Sequence, residues 1–238
     1  MKPMGLIALN FVREQRWPLL VLLFWVLGSS VASGLGSQRL VVDDVLFFLK
    51  TQAIYGVAFI AFLAGSAIHN ERKSRRILAV LSKGVYRGQY IGGLLVGVLT
   101  AATIYVLAMG AAGSLMFRAA GLPVPELWSV LALVMTAMIV TSTVAMFFST
   151  FLSPLFATAA TAFALGTPGL AARVVGGGWA KVLPLYFLME SIMNFSVNTA
   201  NGWQPIWSVV LWACLDSALL WAFASWLFAR RDIAVAIE

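Results

Sequence analysis

A chain of 238 residues that is 61% hydrophobic and only 11% charged has too little polar surface to cover a water-soluble domain, so the composition predicts one bundle of membrane helices. The net charge of +7 would direct attention to nucleic acid in a soluble protein; here it is a statement about topology, and no nucleic-acid partner is expected. The single cysteine, Cys214, excludes an internal disulfide or a cysteine metal cluster, and its apolar surroundings predict a small core residue.

Pro3 to Arg16 mixes Leu6, Ile7, Leu9, Phe11 and Val12 with Arg13, Glu14 and Arg16, which predicts an interfacial helix lying along the membrane. With Pro3 after Lys2 and no small-residue cleavage site, this segment is expected to be retained. Trp17 and Pro18 open a first span that runs to about Gly36. The short connection Ser37 to Val45 balances Arg39 against Asp43 and Asp44, and a second span follows from about Leu46 to Ile68.

The third span covers about Tyr90 to Phe117, with Gly93, Gly97 and Ala101 at intervals of four. Such a small-residue stripe lets another helix approach closely, from the same chain or from a second copy. Arg118 to Glu126, with Pro123 and Pro125, forms the next turn before a fourth span from Leu127 to Thr150. Ser153 and Pro154 make an uncharged break, a tight hairpin into a fifth span that ends near Leu170. Between Ala171 and Gln204 the pattern changes: Gly176 to Gly178 is flexible, Lys181 and Glu190 appear, and Pro184 to Phe195 is apolar but too short to cross. A re-entrant or interfacial segment is expected there. Pro205 to Phe228 is the sixth span, stopped by Arg230 and Arg231.

Between the second and third spans, Asn70 to Tyr90 carries Arg72, Lys73, Arg75, Arg76, Lys83 and Arg87 against the single acid Glu71. Ile77, Leu78, Val80 and Leu81 fall at helical spacing within it, so it reads as a short amphipathic helix at the membrane surface. Six spans place Lys2, Arg13, Arg16, this segment, Arg230 and Arg231 on one face, and Arg39, Lys50, Arg118, Arg173 and Lys181 on the other. By the positive-inside rule both termini and the basic segment are cytoplasmic.

Chemistry-bearing residues are few. No phosphate-cradling loop occurs, since Gly176 to Gly178 is followed by Trp179-Ala180-Lys181 without the required spacing. The one histidine, His69, has no second histidine or paired carboxylate near it in sequence, and reads as an interfacial residue. Met135 with Met138, and Met189 with Met193, could suit a soft metal, but their spacing fits gap-filling in an apolar core; no metal site is expected. Asp216 lies near the middle of the sixth span, where a carboxylate costs on the order of 2.5–3.5 kcal/mol and must face the protein interior or be protonated. With Tyr105, Thr141, Ser142 and Thr143 at similar depth, it forms either a polar patch on a substrate path or a buried inter-helix hydrogen bond. A membrane-embedded enzyme would need two of Asp216, Glu190 and His69 at one depth, which the spans do not provide.

The run Glu71, basic residues, Ile77, Leu81-Ser82-Lys83, Val85, Arg87 and Gln89-Tyr90-Ile91-Gly92 resembles the permease subunits of ABC-2 type transporters. These typically show a glutamate, a Gly-Thr pair, a leucine-rich helix and a Leu-Ser-Lys-Pro-Val-Ser-Arg run at this place. Arg75 and Arg76 stand where Gly-Thr is usual, Gly84 replaces the proline and Tyr86 the serine. The end, Phe228-Ala229-Arg230-Arg231-Asp232-Ile233, is also similar. The resemblance implies a single all-α transmembrane domain over residues 1–238, in a bacterial or archaeal inner membrane. It implies a coupling helix, with Glu71, Arg72, Arg75, Arg76, Ile77, Leu78, Leu81 and Arg87 meeting a separate P-loop ATPase. Two such ATPases, carrying ATP and Mg, would pair with two permease copies, and this chain itself would hold no cofactor and catalyse nothing. An exporter is the reading this favours. A permease for haem- or copper-site maturation, and a scaffold or enzyme centred on Asp216, are the alternatives.

Overall fold

A computed structural model of the chain describes residues 3–36, 42–73, 85–175 and 207–230. They form seven helices: α1 (Pro3–Glu14), α2 (Arg16–Gly36), α3 (Val42–Lys73), α4 (Arg87–Ala119), α5 (Val124–Ser149), α6 (Pro154–Val175) and α7 (Trp207–Arg230). No strand occurs among the described residues. Four helices, α3, α4, α5 and α7, are long and apolar enough to cross a bilayer, and the chain is a helical membrane protein. Two further apolar stretches, Arg16–Val31 in α2 and Pro154–Gly166 in α6, are shorter.

Local chemistry sets the helix ends. Gln15 N–H donates to Phe11 O and Leu19 N–H to Gln15 O, both at 3.0 Å, so α1 runs almost continuously into α2. The break between them falls where Pro18 has no N–H to offer the Glu14 carbonyl. At the far end of α4, Gly121 adopts φ +70, Gly121 N–H donates to Arg118 O at 3.2 Å and Leu122 N–H to Phe117 O at 2.8 Å. This is a Schellman stop, which needs a left-handed residue at that point. Pro123 then caps α5, which has a proline in its first turn.

Helices α3 and α4 are longer than their predicted spans. At 32 and 33 residues they measure about 48–50 Å, well beyond the roughly 30 Å hydrocarbon layer. The polar residues at their ends are helical, not loop. Asp43 and Asp44 occupy the first turn of α3 and Arg72 and Lys73 its last, each sign favourable to the adjacent end of the helix dipole.

The core lies among α3, α4 and α5, where Ile60, Leu63, Leu94, Val98, Val134 and Met138 are all at most 1% exposed. Glycines bring the helices together where a side chain would collide. A Cβ on Gly65 would lie 2.8 Å from Thr158 Oγ1, which draws α6 onto α3, and one on Gly110 would lie 2.6 Å from the Trp128 ring, which seats α5 on α4. Helix α7 packs on α4 and α5 through Ala213, Ser217, Ala224 and Phe228 and leaves its opposite face exposed. Cys214 is on that exposed face. This corrects the expectation of a core cysteine: α7 is apolar all round, so its sequence does not reveal which side turns inward.

The N-terminal helix is buried along one side. Ala8 and Phe11 are 7% and 2% exposed, and α1 lies against the start of α4. A Cβ on Gly93 would come within 2.8 Å of Ile7 Cβ and 3.2 Å of Met4 O, and one on Gly97 within 2.9 Å of the Phe11 ring. The predicted small-residue stripe therefore serves α1 of the same chain; Ala101, its third member, is fully buried one turn further on.

Candidate functional site

The residues flanking the basic segment converge at one end of the bundle. Residues 74–84, which include Arg75, Arg76, Ile77, Leu78 and Leu81, lie outside the described residues, but both approaches to them are described. Glu71, in the last turn of α3, is 6% exposed. Its Oε2 accepts the Tyr90 hydroxyl at 2.6 Å, and Tyr90, one turn into α4, is itself 1% exposed. A short, buried bond to a carboxylate is among the stronger neutral-donor hydrogen bonds. It fastens the end of α3 to the beginning of α4.

Two arginines extend this clamp to other helices. Arg72 Nη2 donates to Thr150 O at 3.4 Å, a long contact that reaches the α5–α6 turn. Arg87 Nη1 donates to Ala229 O at 2.9 Å, in the last turn of α7. The end of α3, the start of α4 and the last turn of α7 are thus joined at one end of the bundle. Helix α1 packs beside them on Gly92, where a Cβ would lie 2.6 Å from Met4 Cε.

Of the residues expected to meet an ATPase, Glu71 is turned inward and Arg87 is half-buried, while Arg72 is exposed. His69 and Asn70, next to the clamp, are also exposed. No group of three or more His, Cys, Asp or Glu residues able to hold a metal ion occurs among the described residues. Met138 is fully buried against Gly56, while Met189 and Met193 lie outside the described residues, as do Glu190 and the segment expected to be re-entrant, apart from Ala171–Val175, which continue α6.

A second polar bond ties α3 to α4 deeper in the bundle. The hydroxyl of Tyr105, fully buried on α4, donates to Gln52 O at 2.6 Å, with Gln52 Oε1 at 3.3 Å. Gln52 Nε2 donates in turn to Ser29 Oγ on α2 at 3.0 Å, and the Ser29 hydroxyl donates to Trp25 O at 2.6 Å. Trp25 and Tyr55 meet edge to face beside this chain at 6.4 Å. Gly56 makes room for it: a Cβ there would run into the Tyr105 ring and into Met138 Cε. Glu71 and Gln52 are 19 residues apart on α3, and Tyr90 and Tyr105 are 15 apart on α4. The two tyrosine bonds are therefore separated by about 22–28 Å along the helices, close to the thickness of the hydrocarbon layer.

Among the described residues no hydrogen bond joins Asp216, Tyr105, Thr141 and Thr143. Thr143 Oγ1 bonds its own helix at Val140 O, 2.8 Å, and Ser142 Oγ bonds Ile139 O at 2.8 Å. Thr141 is 2% exposed, and its hydroxyl has no hydrogen-bond partner among the described residues. Asp216 is half-buried on α7. Sequence reasoning weighed the ionisable residue and passed over Gln52, Ser29 and Gly56; a glutamine in the apolar second span was the available signal, since a buried amide in lipid needs partners. Compared with protein-family models and with characterised proteins, the chain matches none.

Proposed function

We propose that this chain is the membrane subunit of an ATP-driven ABC exporter, receiving motion from a separate P-loop ATPase at the basic segment. The observation that carries the reading is the Glu71–Tyr90 clamp, with Arg72 and Arg87 beside it. A segment whose two ends are fastened to α3 and α4, and through arginines to the α5–α6 turn and α7, passes a push to most of the bundle at once. The order of residues Glu71 to Gly92, which resembles ABC-2 permeases, supports the same reading. In it α2 and α6 complete six spans, α1 and the end of α7 lie on the cytoplasmic side of an inner membrane, and two permeases pair with two ATPases. Glu71 acts as a positioning residue, while Ile77, Leu78 and Leu81 make the apolar contact and the surrounding arginines pair with acids on the ATPase.

The test is purification of the tagged chain from native membranes in mild detergent, followed by mass spectrometry, for wild type and for Ile77→Ser, Leu78→Ser, Leu81→Ser combined. A P-loop ATPase that accompanies the wild type and is lost from the inserted variant supports the proposal. Its absence under conditions that preserve known membrane complexes rejects it.

A further inference from the structure

At the end of α7 a row of rings leads to a guanidinium group. Phe147 of α5 stacks on Phe223 with centroids 5.6 Å apart and planes at 27°. Phe223 stacks on Trp226 at 5.7 Å and 16°, and Arg230 Cζ lies 4.1 Å from the Trp226 ring centre. Phe223 and Trp226 are about half exposed, at 50% and 47%, and they continue the outward apolar face of α7 that includes Leu219 at 70%. Stacking on an aromatic face fixes the plane of an arginine and leaves its N–H edge to meet an oxyanion. The second guanidinium, Arg87, meets the neighbouring residue through Ala229 O at 2.9 Å. Together the two offset the negative carbonyl end of α7. The one carboxylate within α7, Asp216, is 14 residues before Arg230, about 21 Å away along the axis.

We propose that this end of α7 binds an anionic phospholipid, its phosphate held by Arg230 and Arg87 and an acyl chain lying along Trp226 and Phe223. The cations stand directly beside an exposed apolar wall, so the ligand must carry hydrocarbon next to its negative charge; a bilayer lipid does, and a free anion does not. The inference shares Arg87 with the segment assigned to the ATPase, but it stands on the Arg230–Trp226–Phe223 row of α7 and does not depend on that assignment.

The full chain, returned to nanodiscs of equal phosphatidylglycerol and phosphatidylcholine and released for native mass spectrometry, tests this. Wild type retains phosphatidylglycerol in preference to phosphatidylcholine. Arg230→Gln lowers the retained phosphatidylglycerol about fivefold, the factor expected for one cation near a charged surface. Arg230→Lys, with the charge but not the flat stacked group, falls between. Arg118→Gln, which removes the same charge at the other end of α4, leaves retention unchanged. Three outcomes overturn the proposal: equal retention of the two lipids by wild type, an equal loss in Arg118→Gln, or displacement of phosphatidylglycerol by millimolar inorganic phosphate, which would make the site one for free anions.

Discussion

Tyr90 donates to Glu71 at 2.6 Å across the buried junction of α3 and α4, and these two residues stand on either side of the basic segment. The described ends of α3 and α4 are thereby fastened to each other by a side-chain hydrogen bond. Tyr90→Phe removes the donor from a buried carboxylate and should cost about 1.5–3 kcal/mol, the range for bonds to charged groups. Glu71→Gln keeps an acceptor and should cost less. Thermal unfolding in detergent of both single variants and the double variant checks this: coupling between the two sites is expected, and additive losses would mean that the pair does not act together.

Helix α1 is held by the absence of side chains on α4. Gly93→Ala and Gly97→Ala place a methyl within 3 Å of Ile7 and Phe11 respectively, so α1 should be displaced and cleavage by trypsin at Arg13 and Arg16 should speed several-fold. Gly28→Ala meets nothing within 4 Å and should leave the cleavage rate as it is. Equal rates in all three would show that α1 does not rest on the glycines.

Tyr105→Phe should be mild and Gly56→Ala severe. The first loses one inter-helix hydrogen bond, worth about 0.6 kcal/mol on average in a membrane protein. The second drives a methyl into the Tyr105 ring and Met138, an overpacking that costs about 1–3 kcal/mol and displaces the same hydrogen bond as well. Unfolding midpoints measured under one set of conditions decide the order.

Asp216 has no hydrogen-bond partner among the described residues, so Asp216→Asn should leave the unfolding midpoint unchanged or raise it. On the proposed exporter reading, a fall in ATP-dependent efflux from vesicles while the midpoint holds would assign the carboxylate to the substrate path. A lowered midpoint would show that it supports the fold.

The helices themselves were legible in the sequence because apolar runs and proline breaks mark them, and α2 and α4 to α7 begin within about three residues of their expected starts. The overhang of α3 and α4 was not, because Asp43, Asp44, Arg72 and Lys73 are charged residues of the kind found in loops and equally favourable at helix ends. The glycine stripe announced close packing without naming the helix that would occupy it; α1 of the same chain is that helix. At the candidate site Glu71 was identified but its direction was not. Glu71 stands in a segment with six cations and was expected to meet the ATPase, and only the return of α4 places Tyr90 against it.

The most direct test of the coupling proposal is a photo-reactive amino acid at Leu78, activated in intact membranes, with the same group at Leu122 in the α4–α5 turn as the control. A P-loop ATPase attached through position 78 and not through position 122 is the predicted result. Adducts at position 78 that contain only lipid, in cells shown to express such an ATPase beside this chain, would contradict the account.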